Sequence, residues 1–243
     1  MPPVEARKFA INGEELKREI LRMTDWHTDE LFGAPETGLQ RLIYPYSRFL
    51  VDPERFPDDD RELMAAKGMG AVYTRTTDGR VLRADVDDVE RDRLLDEYYW
   101  PHHRRLTSMV GETLDKSDRC LIIDAHSFPS VPLPCDLDQN LDRPDICIGT
   151  DSLHTPDWLA ATTTTAFSDM DFTVFVDRPY AGALVPMKHW GRDRRVHSVM
   201  VEVNRRLYLD EATGEKTDGF DLTRDAISTC LSRIVRAFAQ SDS

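Results

Sequence analysis

The 243-residue chain is short of positive charge: 31 Lys and Arg stand against 44 Asp and Glu, a formal net charge of −13. So acidic a chain is poorly suited to wrapping phosphate backbones, and no nucleic-acid partner is expected. Small anionic substrates stay open, because a basic pocket can exist on an acidic surface. Cysteine is scarce as well. Cys120, Cys135, Cys147 and Cys230 are widely spaced and form no CxxC pair. That disfavours a zinc knuckle or a disulfide scaffold and fits reduced thiols in a cytoplasm. No apolar run approaches the roughly 20 residues of a membrane span, so no membrane partner is expected. The stretch "MPPVEARKF" has no apolar core for a signal peptide. There is no internal repeat, Walker loop, dinucleotide fingerprint or nucleophile elbow, which removes the commonest nucleotide and serine-hydrolase readings. The expectation is one soluble cytoplasmic domain over 1–243, with the oligomeric state open.

What is present is an alternation of helix and strand patterns. "INGEELKREILRMTDWHTDELF" (11–32) has helical spacing at Leu16, Ile20, Met23 and Leu31, with Asn12 as a cap. "LIYPYSRFLVD" (42–52) reads as a strand, and 55–83 as a loop with a short helix and a hairpin at Asp78-Gly79. Residues 86–117 read as a long helix with a kink or break at Pro101. The unbroken apolar run "CLIIDAHS" (120–127) suits a central strand buried on both faces. Further strands are expected at 145–151, 172–177 and 196–210, and helices at 155–167 and 221–240. This order implies an α/β three-layer sandwich with a mixed, largely parallel central sheet, phosphorylase/hydrolase-like. Ligands of open α/β sheets sit at the carboxyl ends of the strands, so polar residues there matter most.

Four places could carry chemistry. "TDWHTDELF" (24–32) sets His27 and Glu30 three apart, a pair suited to Zn²⁺, with Asp25 and Asp29 as further ligands or supporting acceptors; a solvated acidic helix end is the plainer alternative. His126 emerges from the strongest strand with Asp124 two residues before it on the same face, where it could orient the imidazole. Glu202 in "SVMVEV" reads either as one of the outward residues Ser198, Met200, Glu202 and Asn204 of a half-exposed strand, or as a general base. In the second reading Asn204 with Arg205 or Arg206 would bind an anionic substrate. Arg48, Asp52 and Arg55 form an alternating charge set, either a surface salt bridge or a carboxylate-binding group. His102 and His103 are expected to be one packed and one free, and "PYAGALVP" (179–186) is a loop that could close over a ligand.

Together "TDWHTDELF", "YPYSRFLVDPERFPDD", "GMGAVYTRTTDG", "YYWPHHRRL", "LIIDAHSFPS", "RPDICIGTD", "PYAGALVP" and "VEVNRRLYLD" resemble the N-formylglutamate amidohydrolase family, collinearly over about residues 16–210. The resemblance implies a zinc-dependent, carboxypeptidase-like hydrolase that cleaves N-formyl-L-glutamate, or a close N-acyl amino acid, to formate and glutamate in histidine degradation. It implies Zn²⁺ held by His126 with Asp25, His27 or Glu30, catalysis by Glu202 and Arg48, and substrate binding by Arg55, Asn204 and Arg205. Family members begin with a strand and a Pro-His-bearing loop that would precede "MPPVEARKF". Either that part is missing, or His27 takes the place of its imidazole. The alternative is a truncated or metal-poor paralogue that binds anionic amino acids without hydrolysis.

Overall fold

The run "VHSVMVEVN" sets Val199, Val201 and Val203 at every second position, and these valines line the largest apolar core among the described residues. The computed structural model describes residues 8–83 and 86–241; the amino-terminal "MPPVEAR" lies outside them. The chain divides into two compact units, one of Met1–Thr24, Ile43–Ser108 and Leu133–Gln139, the other of Asp25–Leu42, Met109–Pro132 and Asn140–Ser243.

In the first unit, helix α1 (Gly13–Met23) starts at Asn12, whose side chain accepts from Glu14 and Glu15 while Glu15 reaches back to the Asn12 amide. This reciprocal capping satisfies helix-end donors that otherwise face only water. α1 buries Leu16 and Met23 in a core with Phe49, Met69, Tyr73 and Leu82. The buried Glu19 is satisfied by the Thr77 amide at 2.7 Å and the Thr77 hydroxyl at 3.0 Å. The strand expected at 42–52 does not form. Phe49, Leu50 and Val51 are fully buried, but their backbone is irregular. The Arg83 guanidinium serves the carbonyls of Phe49 and Leu50, so acceptors that a sheet ladder would have used are met by one side chain. The turn at Asp78-Gly79 is present with Gly79 at φ 82, flanked by an Arg75–Val81 bridge.

The break expected at Pro101 is absent. A π-helical turn, Leu95–Tyr99, lies between helix α3 (Asp88–Leu94) and helix α4 (Trp100–Ser117), and the Trp100 amide donates to Leu95. Proline cannot donate to the fourth residue back and its ring crowds that carbonyl; the wide turn just before it relieves both constraints. Neither histidine is free: His103 Nε2 meets the Pro53 carbonyl at 2.8 Å, and His102 packs edge-on against Tyr44.

The second unit holds the central sheet. Its strands are β1 (Cys120–Phe128), β2 (Ile146–Gly149), β3 (Val174–Val176) and β4 (Val196–Asn204), in the order β1-β4-β2-β3. β1 with β4 and β2 with β3 are parallel, and β2 with β4 is antiparallel. Helices α5 (Asp157–Ser168) and α6 (Phe220–Gln240) complete the α/β arrangement, which is the mixed three-layer class expected. Val199, Val201 and Val203 pack with Ile146, Ile148, Leu159, Phe167, Ile227 and Leu231. The strand expected over 196–210 stops at Asn204, because its side chain accepts from the Arg206 amide and starts a 3-10 turn, Arg205–Leu207. A small hairpin, β5 (Leu209–Asp210) with β6 (Glu215–Lys216), follows.

The single helix expected over 11–32 also divides. α1 ends at Thr24, which is extended, and a four-residue helix, α2 (Thr28–Leu31), begins after His27 at φ 60. Local spacing favours one helix; the tertiary partners of Asp25 and His27 override it.

Candidate active site

β1 and β4 run side by side in parallel, so residues at the same register share a face. His126 pairs with Glu202 and Asp124 with Met200, while Cys147 of β2 pairs with Glu202 from the other side. His126, Glu202 and Cys147 therefore form a row across one face, opposite the valines. The face is not half-exposed: Ser198, Met200, Glu202 and Asn204 are all buried. Burial pushes the Cys147 thiol up to about 12, with a smaller contribution from Glu202, so it is an inert thiol, donating to the Tyr180 carbonyl at 3.2 Å.

His126 lies between two carboxylates. Its Nε2 is 2.8 Å from Asp124 Oδ1 and its Nδ1 is 3.2 Å from Asp25 Oδ2. A neutral imidazole has one N–H and satisfies only one of these contacts as a donor. The other demands a second proton or a cation shared by the imidazole nitrogen and the carboxylate.

The loop 179–186 lies along this face. The Leu184 amide donates to Asp124 Oδ2 at 3.1 Å, and the Leu184 carbonyl accepts from Ser198 Oγ at 2.8 Å. Its approach depends on Gly149: a Cβ there would stand 2.3 Å from the Gly182 carbonyl oxygen and 2.4 Å from Met200 Cε. The fold uses glycine there for close approach rather than for a turn.

"TDWHTDELF" is divided in its work. Asp25 joins His126. His27 Nε2 is instead bonded to the Gly214 carbonyl at 3.0 Å, with its ring edge-on to Phe220, and Glu30 is paired with Lys216 at 2.5 Å. Asp29 is exposed, and Arg41 binds its backbone carbonyl. Among the described residues, no set of three close metal-donor atoms includes His27 or Glu30. Asp124, read from sequence only as an orienter of His126, offers a ligand atom beside it; its place two residues back on the strand was the available signal.

The remaining expected residues fall in three settings. Asn204 is fully buried, and its amide donates to the Pro144 carbonyl at 2.8 Å, so it shapes the strand end. Arg205 is 4% exposed and bonded to Ser127 and Asp25. Arg48 and Arg55 lie in the first unit. There Arg55 reaches Asp52 at 3.7 Å and Glu62 at 3.5 Å, and the Tyr73 hydroxyl donates to Asp52 at 2.5 Å.

The family model for N-formylglutamate amidohydrolase matches residues 4–209 of this chain. The chain belongs to that family. The N-formylglutamate deformylase of Pseudomonas aeruginosa is 28% identical over 221 residues, covering 87% of this chain and 81% of that protein. The N-formylglutamate deformylase of Pseudomonas putida is 26% identical over 194 residues, covering 77% and 71%. The crystal structure of N-formylglutamate amidohydrolase from Ralstonia eutropha JMP134 aligns with a TM-score of 0.78 at 22% identity, over 96% of this chain and 88% of that one. A gene product of Agrobacterium tumefaciens aligns with a TM-score of 0.69 at 16% identity, over 99% and 87%. Both structures share the fold of this amidohydrolase family member. No helix among the described residues is long and apolar enough to cross a membrane.

Proposed function

We propose that this chain hydrolyses the formyl amide of N-formyl-L-glutamate, giving formate and glutamate, with a bound Zn²⁺. The observation that carries the reading is the row of His126 and Glu202 at one register of a buried sheet face, in a family whose curated relatives are deformylases. The donor set suits zinc: an imidazole nitrogen and a carboxylate oxygen at 2.8 Å, facing each other with one proton too few. Asp124 and His126 would hold the ion, with Asp25 behind the imidazole. When bound, it would polarise the formyl carbonyl and lower the pKa of water toward about 7.

Glu202 acts as the base. It takes a proton from the attacking water and delivers it to the glutamate nitrogen as the C–N bond breaks. Its burial, at 9% exposure, keeps bulk water from competing for that proton. The loop 179–186 excludes solvent from the same face.

The test is formate release from N-formyl-L-glutamate, measured before and after chelation and on returning Zn²⁺. Turnover that is lost and then restored supports the reading. Turnover indifferent to a chelator that demonstrably strips the protein removes the metal, and no turnover in the loaded protein removes the activity.

A further inference from the structure

Sequence reasoning assigns Arg205 to substrate binding, but its guanidinium is directed inward. It is 4% exposed. Nε donates to Ser127 Oγ at 3.2 Å, and Nη2 donates to the Ser127 carbonyl at 3.2 Å and to Asp25 Oδ1 at 3.2 Å. Its neighbour Arg206 behaves differently, with a side chain 45% exposed and paired at the surface with Asp145.

Asp25 divides its two oxygens. Oδ1 takes Arg205, and Oδ2 faces His126 Nδ1 at 3.2 Å. The next peptide is pinned as well, since the Trp26 carbonyl accepts from the fully buried Tyr208 at 2.9 Å. The turn carrying Asp25 is thus held at two points by residues just beyond the end of β4. That strand also carries Glu202 opposite His126. Base and imidazole share one ruler.

We infer that Arg205 is a positioning residue: it clamps Asp25 against His126 Nδ1 and so fixes which imidazole nitrogen faces Asp124. A carboxylate held this way keeps the Nδ1 proton in place and leaves Nε2 directed at its partner, the means by which outer carboxylates orient ligating histidines. The kinetic arm of the test rests on the hydrolase reading above; the spectroscopic arm does not.

The experiment compares wild type with Arg205→Gln and Arg205→Lys, using ¹⁵N-histidine labelling of the protein as purified. His126 is assigned by its absence in His126→Gln. Wild type is expected to show a protected, downfield Nδ1–H signal, lost or broadened in Arg205→Gln and partly retained in Arg205→Lys, which keeps the charge without the fork. With N-formyl-L-glutamate, kcat should fall about 10–100-fold in Arg205→Gln while KM stays unchanged. If Arg205→Gln does not fold, Ser127→Ala loosens the same clamp without removing a charge and should move both readouts in the same direction, by less. An unchanged Nδ1–H signal, or a raised KM at unchanged kcat, overturns the inference. A wild type that releases no formate overturns the proposed function, and the proton signal still decides Arg205.

Discussion

The two faces of the central sheet are buried alike and built differently. One carries Ile146, Ile148, Val199, Val201 and Val203, all at 0% exposure, packed with residues of α5 and α6. The other carries Asp124, His126, Cys147, Ser198, Met200 and Glu202, mostly under 10% exposed. What separates them is their covering. Helices present apolar side chains and no spare backbone donors, whereas the loop 179–186 offers its own amides and carbonyls to Asp124, Ser198 and Cys147. A sheet face can therefore stay dry and still hold ionisable groups, provided that irregular backbone lies over it.

That contrast can be broken from either side. The largest effect is expected from Glu202→Gln, which should lower formate release about 100- to 10,000-fold while thermal stability stays near wild type. Retained turnover would move the base elsewhere. Val201→Ala, on the opposite face of the same strand, should lower unfolding free energy by about 2–3 kcal/mol through lost methyl burial and a residual cavity. Denaturant titration reads this, and the folded fraction should keep its turnover. If both substitutions affect turnover alike, the faces are not separable. Gly149→Ala should fall between them, reducing both stability and turnover, because the added carbon meets the Gly182 carbonyl and forces the loop outward. Proteolysis within 179–186 would report that displacement.

The smallest effect is a pH dependence in the other unit. Burial, and to a lesser extent His103, pushes His102 down from 6.5 to about 4. The unfolded chain binds a proton between these values and the folded chain does not, so stability is complete above about pH 6.5 and declines as pH falls toward 4. Denaturation midpoints measured across that window should show a slope that His102→Gln flattens.

The sheet was the legible part. The unbroken run at 120–127 and the valine alternation at 196–203 state their burial in residue type, and both formed as strands. The stretch 42–52 is also rich in β-branched and aromatic residues and formed no strand, because whether apolar backbone finds a ladder or an Arg83 is decided more than 30 residues away. For the candidate site, sequence pattern singled out His126 and Glu202 but not their shared register, which is a property of two strands meeting. It also grouped His27 and Glu30 with Asp25, since three-residue spacing on a presumed helix looks like one face. His27 and Glu30 do face each other, Nδ1 to Oε1 at 3.5 Å, but the αL conformation of His27 sets that pair apart from Asp25, which joins His126. Arg205 was noticed for its charge, but the sign of a side chain does not say whether it points to solvent or inward.

The wide turn at Leu95–Tyr99 sets the angular phase of everything that follows it in α4. Each residue advances an α-helix by about 100°, so removing one residue there would restore regular winding and rotate the helix from Trp100 onward by that angle. His103 would swing off the Pro53 carbonyl, and Pro101 would face a carbonyl it cannot serve. The turn works as a phase shifter, and the stretch "LDEYY" is a place where length matters more than residue identity.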